Sequence, residues 1–312
     1  METFMEEIKA KSDLFFRYLL GREEDEDLRI NFINSVLADS DQTLITSAKV
    51  LNPFNLTQYK SDKESILDIK CETEDGRTIT IEMQLLGSDD YQKRALYYWS
   101  KTYVGQLGEG QHYMSLQPVI SIHLLDFNLY KCDENNNKIE LLKDDQLHHY
   151  FEPREHNNPN LCLTNDMQIH FLEMPKLSEK IKNVDDLKEW VDFFSSIKES
   201  NMNMTLTSAP SKTINKAIQR FNEFTADDEM REMYEAQQKA IRDRLSYIDE
   251  AERRGRKEGI KEGIKEGEKI GSHNAMMSSA RTMLEMNIPI DQIAYITKLP
   301  ETTIKSLKQG NI

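Results

Sequence analysis

The sequence predicts an α/β core followed by a helical C-terminal region, on three observations. Strand-like runs fall between residues 44 and 127, apolar residues at helical spacing bracket them, and from 212 onward the chain is rich in Glu, Lys, Arg, Gln and Ala. Residues 4–38 read as helix on either side of the acidic stretch REEDED, ending at Gly21 and at the Asp39-Ser40-Asp41 cluster; Leu28, Phe32, Ile33, Val36 and Leu37 share one face. Three strands are expected within LITSAKVLNP at 44–53, ESILDIKCETE at 64–74 and RTITIEMQLL at 77–86. A helix is expected at about 88–107, and then the continuous apolar run QPVISIHLLDF at 117–127 reads as a buried strand. The order helix, three strands, helix, strand describes a hairpin joined to an interior strand through a crossover helix.

Beyond this core the signal weakens. NDMQIHFLEMPKL at 165–177 offers one more strand, and DDLKEWVDFFSSIK at 185–198 is a helix with Leu187, Trp190, Val191, Phe194 and Ile197 on one face. The expected division is a core domain at 1–200, a helical connector at 201–252 and a C-terminal segment at 253–312. His148, His149 and His156, near Glu152 and Glu155, have no metal-ligand spacing and read as a surface loop.

Composition narrows the function classes. No stretch approaches the length of uncharged apolar sequence that a membrane span needs, and METFMEEIKAKSD lacks a signal pattern, so a cytoplasmic protein with no membrane partner is expected. Cys71, Cys132 and Cys162 have no CxxC spacing and read as neutral thiols. Nucleophile-elbow and phosphate-cradling glycine motifs are absent. The net charge of −14 argues against a protein that coats nucleic acid, but a short clamp needs only a local basic patch, and residues that hold metal add to the negative count.

The informative segment is LDIKCETEDGRTITIEMQ at 67–84. Leu67, Ile69 and Cys71 alternate with Asp68, Lys70 and Glu72, and Ile79, Ile81 and Met83 alternate with Thr80, Glu82 and Gln84. A two-residue turn would mix the polar and apolar faces. A three-residue turn, Glu74-Asp75-Gly76 with Gly76 left-handed, matches every apolar pair and sets Asp68 opposite Glu82, with β-carbons roughly 5 Å apart. Two facing carboxylates are a way to hold Mg²⁺ or Mn²⁺; the same pattern also describes the solvated face of an ordinary hairpin.

At these residues the sequence resembles the PD-(D/E)XK nuclease superfamily, which places an Asp on one hairpin strand and Glu-x-Lys on the next. Within it, the chain is similar to the bacterial recombination-promoting nuclease/transposase family. The resemblance extends to SDLFFRYLLG at 12–21, YQKRALYYWSKTYVGQLGEGQHY at 91–113, VISIHLLDF, HFLEMPKL at 170–177 and the tail. It implies a restriction-endonuclease-like αβββαβ core and a metal-dependent DNA endonuclease linked to recombination, mobile elements or defence. The cofactor implied is Mg²⁺, with Mn²⁺ or Ca²⁺ as alternatives. Asp68 and Glu82 become the metal ligands, Asp13 matches an acidic residue of the first helix or is a cap, and Gln84 takes the place of the lysine without its charge. Lys70 on the same face, or a lysine of the following helix, is the available compensation. Tyr91, Arg94, Tyr98 and Lys101 form one helical stripe, suited to DNA phosphates and bases or simply to a half-buried amphipathic helix. The other reading of the whole is a nuclease fold with weak catalysis that binds DNA or a partner.

The tail carries Gly255, Gly259, Gly263, Gly267 and Gly271 at spacing four, a linker or a stripe for close backbone approach. After it, Pro289 and the Lys298-Leu299-Pro300 turn delimit a small helix-turn-helix, used for DNA binding or dimerisation. Homo-oligomerisation through this region is expected, and the resemblance points to a short C-terminal form, for which Met233 is a candidate start.

Overall fold

The computed structural model describes residues 7–54, 69–130, 146–177, 186–198, 200 and 209–309. The first helix, α1 (Asp13–Leu20), starts later than its apolar spacing suggests. Ser12 caps it, accepting from the Phe15 N–H, and the preceding backbone is engaged elsewhere, with the Ala10 N–H donating to Ile197 O at 3.0 Å. Gly21 ends the helix where an added Cβ would stand 2.5 Å from the Arg17 carbonyl oxygen. After a short 3-10 turn, α2 (Glu26–Asp39) buries the five apolar residues expected of it. Within that turn Asp25 is fully buried and paired with Arg220 at 2.9 Å.

Six strands form one sheet in the order β1-β2-β3-β4-β6-β5. β1 (Ala48–Val50) is shorter than the expected run; β2 (Ile69–Thr73) and β3 (Thr78–Gln84) form the hairpin. α3 (Tyr91–Val104) crosses over to β4 (Val119–Leu125), which is parallel to β3 and buried along its whole length. β6 (Met167–Glu173) lies parallel to β4 on its other side. β5 (His148–Phe151), read from sequence as a loop, pairs antiparallel with β6 at the sheet edge. Its signal is faint because His and Tyr supply the buried contacts that aliphatic residues usually make.

One face of the sheet, with Ile69, Cys71, Ile79, Ile81, Met83, Ile120, Ile122 and Leu124, packs on α1, α2, α4 (Asp186–Ser196) and α5 (Lys212–Ala226). Rings of Phe15, Phe32, Trp190, Phe194, Phe221 and Phe224 fill that core, the Phe15–Phe221 pair being edge-on at 4.9 Å. α3 covers the opposite face, where Tyr91 and Ala95 meet Leu125, Ile169 and Phe171.

The chain divides into two compact units, 1–237 and 238–312. α6 (Asp228–Glu285, 58 residues) begins in the first, where Met230, Met233 and Tyr234 join the core. The glycine repeat is helical, within α6, and a Cβ at any of its five glycines would meet nothing within 4 Å. In the second unit the end of α6, α7 (Ile290–Thr297) and α8 (Glu301–Lys308) close a small core of Ala280, Ile293, Leu299, Ile304 and Leu307. The α7–α8 turn falls at the expected place, with Lys298 left-handed at φ 55°. Among the described residues no helix is long and apolar enough to cross a membrane.

Candidate active site

The hairpin has the three-residue turn. Ile69 pairs with Ile81 and Cys71 with Ile79, and Gly76 has φ 85°, the left-handed value the G1 bulge requires. Alternation along β3 therefore sends Ile79, Ile81 and Met83 into the aromatic core and Thr80, Glu82 and Gln84 toward α3.

That second face is no solvated surface. Thr80 is buried and shares a 2.8 Å hydrogen bond with Ser121. Glu82 is 6% exposed, and its Oε1 is buried without a hydrogen-bond partner among the described residues. In the parallel register it stands beside His123, whose Nδ1 lies 3.7 Å from Glu82 Oε2. The same Nδ1 shares a 2.9 Å hydrogen bond with the Tyr91 hydroxyl. The row continues through Phe171 on β6 to His149 on β5.

Burial sets the electrostatics of this row. It pushes the Glu82 carboxyl up to about 7, with the Arg94 charge pulling the other way, and pushes His123 down to about 3, with Arg94 adding to the effect. His123 is thus a neutral imidazole at physiological pH. A carboxylate in such surroundings is poorly satisfied by the protein, which makes its oxygen a fitting ligand for a hard cation. Among the described residues no group of three or more His, Cys, Asp or Glu side chains is arranged to hold an ion. Asp68, the expected partner of Glu82, lies outside the described residues.

A family model described as PD-(D/E)XK nuclease family transposase matches residues 10–251. The chain belongs to that family. The match spans the hairpin, α3, β4 and β6 and stops short of the glycine repeat. No curated protein and no solved structure matches significantly. The mixed sheet with helices on both faces and a long helical C-terminal region agrees with a PD-(D/E)XK nuclease-like fold. Nucleases of this family generally use divalent metals.

Against this family frame, the remaining expected residues fall into distinct places. Gln84 ends β3, half-buried, and its carbonyl accepts the Asp126 N–H at 2.9 Å; Asp126 in turn pairs with Lys11 at 2.6 Å. Lys70 is half-buried opposite Thr80, on the Glu82 face of the hairpin. Asp13 opens α1, which packs on the other face of the sheet, and its Oδ2 accepts from Gln237 Nε2 at 2.9 Å. On α3 the stripe splits: Tyr91 is buried under the helix rather than available for stacking, while Arg94 and Lys101 are exposed and Tyr98 is half-buried.

Sequence reasoning missed His123. A histidine inside the apolar run VISIHLL was the available signal, since a polar ring in a fully buried strand needs a polar neighbour. Reading His148 and His149 as loop residues also hid two further clusters. His148 bridges Asp39 at 2.6 Å and His170 at 2.9 Å, and His149 Nε2 lies 3.6 Å from Glu173, which is ion-paired with Lys176. Cys71 is buried, its thiol pushed up to about 12 by desolvation, and Cys162 is half-buried. Cys132 lies outside the described residues.

Proposed function

We propose that the chain is a metal-dependent DNA endonuclease that hydrolyses phosphodiester bonds, with a role in recombination, mobile-element biology or defence, and that it works in the cytoplasm. The observation that carries this reading is the buried, unpartnered Glu82 oxygen on the hairpin strand whose Glu82-Met83-Gln84 resembles the Glu-x-Lys of the superfamily. Asp68 and Glu82 would hold the ion, Mg²⁺ in the first instance. When bound, a divalent ion supplies Lewis-acid activation of water and charge neutralisation at the phosphate.

The chain's own side chains do the rest. His123, backed by Tyr91, lies against the buried Glu82 carboxyl, so little solvent competes there for a bound ion. Gln84 offers an amide N–H and a carbonyl to orient the attacking water. Lys70, Tyr98 and Lys101 offer charge and hydrogen bonds to the DNA backbone. Asp13, on the helix that packs against the other face of the sheet and hydrogen-bonded by Gln237, is left out of this ligand set.

The deciding experiment is cleavage of supercoiled plasmid in Mg²⁺, Mn²⁺ or Ca²⁺ by the wild type and by Asp68→Ala. Cutting in Mg²⁺ or Mn²⁺ that disappears in the variant is the expected result. The uncharged Gln84 favours a second reading, a nuclease fold with weak catalysis that binds DNA or a partner; retained DNA binding with no cutting in any metal would establish it.

The C-terminal region is proposed to mediate homo-oligomerisation, and a 233–312 product started at Met233 to restrain the full chain. The small core of the second unit supports an autonomous piece, although Tyr234 donates to the Glu7 carbonyl at 2.9 Å and would lose that contact. A strictly monomeric 233–312 that leaves plasmid cleavage unchanged would eliminate the idea.

A further inference from the structure

Hydrolysis at a phosphate builds negative charge on its oxygens, and the strand that presents Glu82 brings no cation, because Gln84 is neutral. Basic side chains near Glu82 include Lys70 on β2 and Arg94 on α3. Lys70 stands opposite Thr80, two residues short of Glu82 along β3. Arg94 is placed differently. Its guanidinium carbon lies 5.6 Å from the centre of the Tyr91 ring, within cation–π reach. The hydroxyl of that ring is 2.9 Å from His123 Nδ1, which is 3.7 Å from Glu82 Oε2. Tyr91 and His123 are each 1% exposed, so the support is fixed by packing, while Arg94 itself is open to solvent. Among the described residues no carboxylate forms an ion pair with Arg94. Its charge acts on both Glu82 and His123.

We infer that Arg94 is a catalytic residue, supplying to a non-bridging oxygen of the scissile phosphate the positive charge that Gln84 lacks, with Tyr91 and His123 as its positioning residues. The inference rests on the nuclease reading. In the step it serves, the water oxygen bonds to phosphorus and releases a proton to solvent. The bond from phosphorus to one ester oxygen breaks, and that oxygen takes up a proton, leaving a phosphate monoester and a hydroxyl. Arg94 donates hydrogen bonds to the phosphate oxygen and exchanges no proton in this step.

The test measures single-turnover cleavage of a fluorescein-labelled DNA duplex at saturating enzyme in Mg²⁺, and separately the affinity for that duplex in Ca²⁺ by anisotropy. Arg94→Ala should slow cleavage by about 10²-fold while changing affinity by less than about threefold. Adding Gln84→Lys to Arg94→Ala should restore at least about tenfold of that rate, because the charge returns from the strand. Tyr91→Phe, which keeps the ring and loses the link to His123, should slow cleavage by about tenfold at unchanged affinity. An Arg94→Ala enzyme with the wild-type rate, or one whose loss is explained by weaker DNA binding, would overturn the catalytic role. A full rate in Tyr91→Phe would overturn the positioning role. If the wild type cuts nothing in Mg²⁺ or Mn²⁺, the nuclease reading falls first and this inference with it.

Discussion

The two faces of the β2–β3–β4 sheet are both buried, yet they are built from different chemistry. Toward α1, α2, α4 and α5 the strands present Ile69, Cys71, Ile79, Ile81, Ile120, Ile122 and Leu124, all fully enclosed among aromatic rings. Toward α3 the same strands present Thr80, Glu82, Ser121 and His123, almost as deeply enclosed. Burying apolar side chains contributes about 1.5–3 kcal/mol each, whereas a buried carboxyl with an unpartnered oxygen costs stability. The first face stabilises the fold, and the second is retained against that cost, as expected of a face that binds something. The contrast separates core residues from candidate site residues on alternate positions of one strand.

The sharpest way to break the contrast is Ile69→Asp. It puts an uncompensated charge into the apolar face, costs several kcal/mol, and should abolish the cooperative melt seen by circular dichroism. A transition near the wild-type temperature would mean that the apolar face is less sealed than described.

On the polar face the effect should depend on pH. The Glu82 carboxyl titrates at about 7 when folded, above its ordinary value of 4.5. The folded state therefore holds the proton more tightly. Its contribution is fully present below about pH 4.5 and is lost as pH rises through 7, a change of roughly 3 kcal/mol in the metal-free protein. Urea melts should show this loss in the wild type and not in Glu82→Gln, which should also lack plasmid cleavage while remaining folded. Equal pH dependence in the two proteins would reassign the titration.

A smaller effect concerns Thr80 and Ser121. Thr80→Val alone leaves the Ser121 hydroxyl without its 2.8 Å partner and should cost about 1–2 kcal/mol, whereas Thr80→Val combined with Ser121→Ala should come close to wild type. Additive losses in the double variant would indicate a role for these hydroxyls beyond pairing with each other. The smallest expected change lies in the C-terminal helix. Gly259→Ala or Gly263→Ala, where a Cβ meets open space, should each stabilise the helix by about 0.5–1 kcal/mol, read as a rise in thermal stability. Destabilisation there would reveal a close neighbour of the glycine stripe in the assembled protein.

The hairpin that carries the candidate site was legible because it obeys a strict period of two. Leu, Ile and Cys on one set of positions and Asp, Lys and Glu on the other leave only one register that keeps apolar partners together, and Gly76 permits the turn that this register needs. His123 and the buried position of Tyr91 were not legible, since each depends on a partner from an element distant in sequence. The β5 strand escaped for a related reason: four residues of His, Tyr and Phe carry no periodic signal until β6 provides the pairing edge.

By itself, then, the sequence determined the order of elements through β4, the hairpin register and the carboxylate position at Glu82, because these follow from local periodicity and turn chemistry. It left undecided whether the Glu82 face meets water or protein. Only the tertiary structure decided that, by laying α3 over the polar positions of β3 and β4. Covering that face joins Tyr91 to His123, brings the Arg94 charge to bear on Glu82 and raises the carboxyl toward neutrality. Desolvation is a property of what packs on a residue, and no spacing within a strand encodes it.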